Sequence, residues 1–383
     1  MSPDLADRLT ATLTRFLVPT TENPNHPTYA GAVALLLHHG TTAASVAVGD
    51  ALRYDAGPVE LPPARRVAMR ADSVFDLASV TKVFTAILGL QQAEQGRLDL
   101  AAPVADYLPA FGRPAVTVSM LLTHTSGLRV GASVTGLGTD AARRAAVLAT
   151  PLVDGAVPGT MFRYSSVGLM VLAQIVEKLT GQTLDQAVRT GITGPMGLRE
   201  TGFNPTGWMS TEDIRARMVA TDARSSRGLL RGVVHDDVAY AFGGVAGHAG
   251  VFSTAAELAA LGQLLLAGGT HGGVRILTEP TVARMLVNAN AGLPATDPDR
   301  PGRSADHGLG VELNQPWFMG RLAGPRVFGH TGFTGTSLLV DPSDDVVLVL
   351  LTNRAHPNWS WANPDPVRAA VADVVAEALP RAG

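Results

Sequence analysis

Two side chains with complementary chemistry lie three residues apart near position 80. Lys82 is one of two lysines in a chain with 28 arginines, and it follows Ser79 at i+3. Arginine stays protonated, whereas a lysine ammonium loses its proton readily when it is desolvated or near another cation. A lysine retained in such a chain indicates a position that arginine cannot fill. If Ser79 opens a helix, Lys82 lies on the same face, and its neutral amine can accept the hydroxyl proton.

Ser-x-x-Lys alone has a simpler interpretation, because Ser79 could be only a helix N-cap. Two further segments add reactive side chains. Tyr164 and Ser166 stand just before an apolar helix, and His330-Thr331-Gly332 leads into a predicted strand.

Composition excludes several function classes. The net charge of −3 indicates no electrostatic attraction to nucleic acid or to a membrane surface. The absence of cysteine excludes a thiolate nucleophile, disulfides and cysteine metal sites. Arg8 and Arg15 interrupt the apolar residues of the N-terminal helix, so we predict no secretory signal and expect a cytoplasmic protein. The sequence predicts no cofactor and no metal.

The predicted elements indicate an α/β fold of the α+β type. Apolar strands at 32–38 and 45–48, and again at 308–313, 337–340 and 346–351, predict one mostly antiparallel sheet built from both chain ends. Helical periodicity dominates the middle of the chain, and Thr254-Ala255-Ala256-Glu257 is a predicted capping box that opens one helix. We therefore predict a sheet region of residues 1–78 and 250–383 and an inserted, mostly helical region of residues 79–249. The segment 297–303 is predicted to be an exposed loop.

Taken in order, these segments resemble the three motifs of the β-lactamase and penicillin-binding-protein superfamily of serine acyl-transfer enzymes. The three motifs that show the resemblance are Ser79-Val80-Thr81-Lys82, Tyr164-Ser165-Ser166 and His330-Thr331-Gly332. Three further segments also match: Leu122-Thr123-His124-Thr125-Ser126-Gly127-Leu128, Gly244-Val245-Ala246-Gly247-His248-Ala249-Gly250 and Leu351-Thr352-Asn353-Arg354. The spacing is similar to the class C-like branch, which includes family VIII esterases, D-amino-acid peptidases and transacylases.

The resemblance implies a role for each matching residue. Ser79 is similar to the nucleophile that becomes acylated, and Lys82 and Tyr164 are similar to its base partners. The implied oxyanion hole consists of the backbone N–H groups of Ser79 and Phe333. Which of Lys82 and Tyr164 takes the first proton stays open, since such a pair titrates as a unit.

The remaining implied contacts are with the substrate. Ser166, His330, Thr331, Gly332 and His248 are the predicted substrate-binding residues. The alternative for His248 is a structural hydrogen bond. His235, Asp236 and Asp237 lack a partner motif with ligand spacing and are interpreted as a loop that caps the site.

Two departures from the family pattern bear on the substrate. His330 replaces a lysine that helps to hold a substrate carboxylate in many members, and a mostly neutral histidine would hold one more weakly. Ser166 replaces an asparagine, and its hydroxyl is shorter and orients a substrate amide less strictly than an asparagine side chain does. Both changes resemble esterase and transacylase members. We therefore expect esters to be preferred over β-lactams.

The leading prediction is hydrolysis of a small ester or amide through an acyl-Ser79 intermediate. The alternative is a transacylase or amide-forming enzyme that passes the acyl group to an amine in a natural-product pathway; an amine or an alcohol is the acceptor partner considered. A β-lactamase, a D-amino-acid peptidase and a β-lactam sensor without turnover are weaker interpretations. The expected partners are small molecules, with neither nucleic acid nor membrane involved.

The role of Lys82 as a base can be tested by keeping its charge. We expect Lys82→Arg to lose nearly as much ester turnover as Lys82→Ala, because arginine cannot become a neutral base. Steady-state kinetics of both variants against the parent measure this. If Lys82→Arg retained most of the activity, Lys82 would be only an electrostatic partner.

Overall fold

The computed structural model describes residues 3–297, 300 and 302–379 of the chain. The α-helices are α1 (Pro3–Arg15), α2 (Thr81–Glu94), α3 (Val104–Tyr107), α4 (Val118–Leu122), α5 (Asp140–Ala149), α6 (Ser166–Thr180), α7 (Leu184–Val188), α8 (Gly194–Met196), α9 (Thr211–Arg217), α10 (Asp237–Ala241), α11 (Ala255–Leu266), α12 (Glu279–Met285), α13 (Pro316–Met319) and α14 (Asp365–Ala378). The strands are β1 (Gly31–His38), β2 (Thr41–Leu52), β3 (Tyr54–Asp55), β4 (Val59–Glu60), β5 (Val67–Ala68), β6 (Phe75–Asp76), β7 (Gly202–Phe203), β8 (Ala220–Ser225), β9 (Gly228–Arg231), β10 (Val251–Ser253), β11 (Thr270–His271), β12 (Val274–Arg275), β13 (Glu312–Leu313), β14 (Phe328–Thr331), β15 (Ser337–Asp341) and β16 (Val346–Thr352).

The main sheet joins the two ends of the chain. Its strand order is β13-β14-β15-β16-β1-β2-β5, and every neighbouring pair is antiparallel. The C-terminal β16 pairs with the N-terminal β1 along its whole length, with Leu35 opposite Val349. All seven residues of β16 are buried, as the continuous apolar run predicts for a central strand. The predicted antiparallel sheet from both chain ends, flanked by helices, is confirmed.

Each face of this sheet is covered by a separate hydrophobic core. Val33 and Leu35 of β1 point into the larger core, which contains α2, α6 and α11. The alternate residues Ala32, Ala34 and Leu36 point into the smaller core, formed with α1 and α14. Because successive side chains of β1 point to opposite faces of the sheet, this one strand contributes to both cores, and helices cover each face.

Helix α2 is the buried centre of the larger core. All ten of its residues from Thr81 to Leu90 are buried, and its main helical partner is α6. A helix that is apolar all around must be covered on all sides. The residues at its N-terminal end are consequently held by several elements at once, and the candidate site lies there.

Several predicted boundaries need correction. The predicted strand at 308–313 is reduced to β13, because Gly310 has a left-handed φ of +81° that interrupts extended backbone. The hairpin of β8 and β9 lies inside the region predicted to be mostly helical. The division into 1–78 with 250–383 and 79–249 stays a prediction.

The predicted helix N-terminus at Thr254 is confirmed. Thr254 caps α11 and accepts a hydrogen bond from the Glu257 backbone N–H at 3.3 Å. The predicted capping box is only half formed, because the Glu257 carboxylate accepts hydrogen bonds from Arg199, Glu200 and Thr201 instead. Within the described ranges, no helix is long and apolar enough to cross a membrane.

Candidate active site

Ser79 lies in a tight turn that continues directly into α2. The turn covers Ala78–Val80, and Ala78 has a left-handed φ of +45°, which is uncommon for a residue with a Cβ. The buried carboxylate of Asp76 accepts hydrogen bonds from the backbone N–H groups of Ala78 at 2.9 Å and His235 at 2.7 Å. Burial raises the pKa of Asp76, and these two hydrogen bonds oppose the rise. Asp76 therefore holds the strained residue that precedes Ser79.

Lys82 is fully buried and points back at Ser79. Its Nζ donates hydrogen bonds to the Ser79 Oγ at 2.8 Å and to the His248 carbonyl oxygen at 3.1 Å. Within the described part of the chain, no carboxylate forms an ion pair with this amine. The predicted Ser-x-x-Lys contact is present, and its geometry permits proton exchange between Oγ and Nζ.

Tyr164 completes the group around Lys82. The Lys82 Nζ lies 5.0 Å from the centre of the Tyr164 ring. His124 supports the tyrosine from behind, with ring centres 4.5 Å apart. The same histidine accepts the Ser165 N–H on its Nδ1 at 3.2 Å and the Arg163 N–H on its carbonyl oxygen at 2.8 Å. His124, which the sequence indicated only as a match to the family, thus fixes both residues that flank Tyr164.

The third motif is bonded to the turn that carries Ser79. The hydroxyls of Thr334 and Thr336 donate to the carbonyl oxygens of Asp76 at 2.7 Å and Leu77 at 2.9 Å. A Cβ on Gly332 would collide with the Leu77 carbonyl and the Thr336 hydroxyl, so only glycine permits this approach. The segment that contains Phe333 is therefore held against the Ser79 turn, and the oxyanion hole formed by their N–H groups stays a prediction.

These residues surround a cleft with a volume of about 400 Å³. Ser79, Tyr164, Ser166, Thr331, Gly332 and Phe333 line it, together with Val130, Arg163, Asp236, Thr296, Asp297, Arg300, Arg303, Glu312, Arg354, Pro364 and Arg368. Lys82, His248 and His330 of the predicted set are buried behind the lining. Direct substrate contact by the two histidines stays a prediction that this arrangement does not support.

His330 is held as a neutral side chain. Its Nδ1 donates to the Thr331 carbonyl oxygen at 2.8 Å, and its Nε2 is buried without a partner in the described part of the chain. Burial, and then the charge of Lys82, lower the pKa of His330 to about 3. This imidazole therefore brings no positive charge to the cleft near pH 7.

His248 supports Lys82 through its backbone and Asp236 through its ring. Its Nε2 lies 3.0 Å from an Asp236 oxygen, which also accepts the Ala239 N–H at 2.7 Å. Burial acts to raise the pKa of Asp236, but His248 and these hydrogen bonds outweigh it and hold the pKa well below its ordinary value. Among the described residues, no cluster of three acidic or histidine side chains could hold a metal ion.

Five arginines line the cleft, and sequence reasoning gave none of them a role. They are Arg163, Arg300, Arg303, Arg354 and Arg368. The predicted exposed loop at 297–303 is wrong for Arg303, which is 6% exposed and pairs with Asp297 and Glu312. Pro298, Asp299 and Pro301 of that loop lie outside the described residues. The arginines are dispersed along the sequence, and only the fold brings them together.

Comparison with known proteins identifies the class of this fold and site. The family model described as "Beta-lactamase" matches residues 25–373, so the chain belongs to the β-lactamase family. A Salmonella schwarzengrund protein named "Putative D-alanyl-D-alanine carboxypeptidase" is 32% identical over 341 residues, which are 80% of this chain and 75% of that protein.

Two solved structures have the same fold. A penicillin-binding-protein homologue from Caulobacter crescentus has a TM-score of 0.69 at 21% identity, covering 98% of both chains. A class C β-lactamase from Rhodobacter sphaeroides has a TM-score of 0.67 at 19% identity, covering 97% of this chain and 99% of that one. The protein is therefore a member of the β-lactamase family and has the fold of these two structures.

Buried neutral histidines predict how stability depends on pH. The pKa values of His307, His330 and His356 fall from an ordinary 6.5 to about 3 through burial. Below about pH 6.5 the unfolded chain takes up protons that the folded chain does not. The stabilisation from neutral burial is therefore complete above that pH and is lost as the pH falls toward 3.

We expect His330→Gln to reduce the slope of unfolding free energy against pH. The reduction should approach about 1.4 kcal/mol per pH unit between pH 4 and 6. Urea unfolding across pH 4–7 measures it, and His39→Gln, at an exposed position, is the control. Equal slopes for His330→Gln and the parent would contradict neutral burial of His330.

Proposed function

We propose that this chain is a serine hydrolase that transfers the acyl group of a small ester or amide to Ser79 and then to water. The observation that carries the proposal is the 2.8 Å contact between the Lys82 Nζ and the Ser79 Oγ. The lysine is fully buried, and its other hydrogen-bond partner is a neutral carbonyl oxygen. An amine placed in this way is suited to proton transfer with the hydroxyl, rather than to an ion pair.

The proposed reaction has two symmetrical halves. In the first, Oγ attacks the acyl carbon as its proton moves to a neutral Lys82 Nζ or to a Tyr164 phenolate, and this pair then gives a proton to the departing leaving group. The N–H groups of Ser79 and Phe333 would stabilise the oxyanion. In the second half, water attacks the acyl carbon, gives a proton to the same pair, and frees the Ser79 hydroxyl.

A second candidate is a D-amino-acid carboxypeptidase, in which the leaving group is an amino acid. The name of the Salmonella relative supports it, at 32% identity over most of this chain. The arginines of the cleft also favour a substrate that carries a carboxylate. Transfer to an amine or alcohol in place of water would use the same residues, and added amines would reveal it through the products.

We expect Ser79→Ala to abolish turnover of 4-nitrophenyl esters while the protein stays folded. The hydroxyl is the proposed nucleophile, and its removal leaves a small apolar side chain in the turn. Steady-state rates, with circular dichroism as the control for folding, measure this. Residual activity within tenfold of the parent would remove Ser79 from the role of nucleophile.

We expect Tyr164→Phe to slow acylation, deacylation or both by about 10²–10⁴-fold, the range of a positioned acid–base group. The ring and its contact with His124 are retained, so only the hydroxyl is tested. Stopped-flow measurement of the burst and the steady-state phase separates the two steps. If both rates equalled those of the parent, Tyr164 would have no part in proton transfer.

A further inference from the structure

We propose that the Asp236 carboxylate binds an ammonium group of the substrate, so that the preferred acyl-transfer substrates of this site are cationic esters or amides. The inference rests on the proposed acyl-Ser79 chemistry and adds the charge of the substrate to it. Its starting point is the pairing of the acidic side chains that line the cleft.

Three carboxylates are among the described residues of the cleft lining, and they differ in their partners. Asp297 and Glu312 both form ion pairs with Arg303. Asp236 pairs with no arginine or lysine in the part of the chain that the structure describes. His248 balances its charge only when the ring is protonated, and the buried Nδ1 then has no acceptor among the described residues. Asp236 is therefore a cleft carboxylate without a permanent counter-charge.

The two oxygens of the Asp236 carboxylate have different surroundings. Its Oδ1 accepts the Ala239 N–H at 2.7 Å and the His248 Nε2–H at 3.0 Å. Its Oδ2 accepts no hydrogen bond from a described residue, and the side chain is 38% exposed where it lines the cleft. The bonds to Oδ1 hold the side chain in place, so the lone pairs of Oδ2 are available to a donor from the substrate.

The backbone holds Asp236 beside the turn that carries Ser79. The N–H of His235, the preceding residue, donates to the Asp76 carboxylate at 2.7 Å. The same carboxylate accepts the N–H of Ala78, the residue before Ser79, at 2.9 Å. A cation bound to Asp236 would therefore lie close to the acyl group on the nucleophile.

A second connection passes through His248 to the amine of Lys82. The His248 ring contacts Asp236, and the carbonyl oxygen of the same residue accepts the Lys82 Nζ at 3.1 Å. A substrate ammonium on Asp236 would repel a protonated Lys82. The proposed reaction uses the neutral amine, and a nearby cation favours the neutral form of an amine. Binding of the cation and the role of Lys82 as a base are thus compatible.

A carboxylate beside a nucleophile can also act as a general base, and its affinity for protons decides between the two roles. Burial acts to raise the pKa of Asp236, but His248 and the hydrogen bond from Ala239 hold the pKa well below its ordinary value. A general base works best when its pKa lies near the pH of the reaction. Asp236 stays ionised and accepts protons poorly, which suits a binding site for a cation.

Two pairs of esters with matched shapes test the proposal, one for each position of the ammonium group. The 4-nitrophenyl esters of butyrate and β-alanine differ in the acyl group, and 3,3-dimethylbutyl acetate and acetylcholine differ in the leaving group. Selectivity is the ratio of kcat/KM for the cationic ester to that for the neutral one, after correction for the hydroxide-catalysed rates. We expect the parent to favour the cationic ester by at least about tenfold in one pair.

In that pair, Asp236→Asn should lower the selectivity by about 10–100-fold, mainly through KM. The amide keeps the shape of the side chain and an acceptor oxygen for the Ala239 N–H, but it loses the charge. Asp237→Asn is the matched control, because it removes the same charge from the next residue, whose side chain is 82% exposed and pairs with Arg227. The control should keep the selectivity within about threefold, as expected for an exposed pair. A loss in Asp237→Asn as large as that in Asp236→Asn would overturn the assignment.

Each kind of failure has its own signature. If the parent hydrolyses none of the four esters, the proposed hydrolase function fails. If it hydrolyses them without preferring a cationic one, or if Asp236→Asn lowers kcat/KM equally for both esters of the favoured pair, only the role of Asp236 in binding fails.

Direct binding to the parent decides the role of Asp236 where turnover cannot, either because no ester is hydrolysed or because Asp236→Asn does not fold. The ligands are β-alaninamide with its neutral counterpart butyramide, and choline with 3,3-dimethylbutanol, measured by titration calorimetry. We expect the cation to bind more tightly by at least about tenfold in one pair. Equal affinities in both pairs would overturn the proposal.

Discussion

The site depends on a lysine that is buried with a hydroxyl and a carbonyl oxygen as its hydrogen-bond partners. Lys82 extends from a helix that is covered on nearly every side, and its amine lies 2.8 Å from the Ser79 Oγ. The amine has exchanged its hydration for two neutral partners, and the surrounding structure must compensate for that loss. Three features do so: the packing of α2, the loop that presents the His248 carbonyl, and the turn held by Asp76.

The same constraint explains why both ends of the chain form one sheet. The Ser79 turn is bonded to the third motif through Thr334 and Thr336, and that motif connects β14 and β15. These strands are continuous with β16 and β1, so the N-terminal hairpin supports the strand end from the far side. A nucleophile early in the chain and a predicted oxyanion donor 254 residues later are thus fixed within one sheet-and-helix assembly.

Sequence reasoning succeeded where a local rule applies. The apolar run at β16, the cap at Thr254 and the i+3 spacing of Ser79 and Lys82 each determine local structure with little help from the rest of the chain. It failed where the deciding partner is distant. The burial of His330, and the cluster of Arg300, Arg354 and Arg368 around Asp365, arise only when several elements meet.

The cleft combines a serine–lysine pair with a group of charged side chains. Lys82 has two neutral hydrogen-bond partners, and His330 is neutral near pH 7. Five arginines line the same cleft together with the carboxylates of Asp236, Asp297 and Glu312.

The most direct test of the account is to locate the acyl group itself. The protein is mixed with 4-nitrophenyl butyrate, quenched in acid within the first turnover, and analysed by intact mass spectrometry and peptide mapping. The account predicts a single butyryl adduct on the peptide that contains Ser79, formed and lost at the rates of turnover. An adduct on another residue, or hydrolysis without any adduct on Ser79, would contradict it.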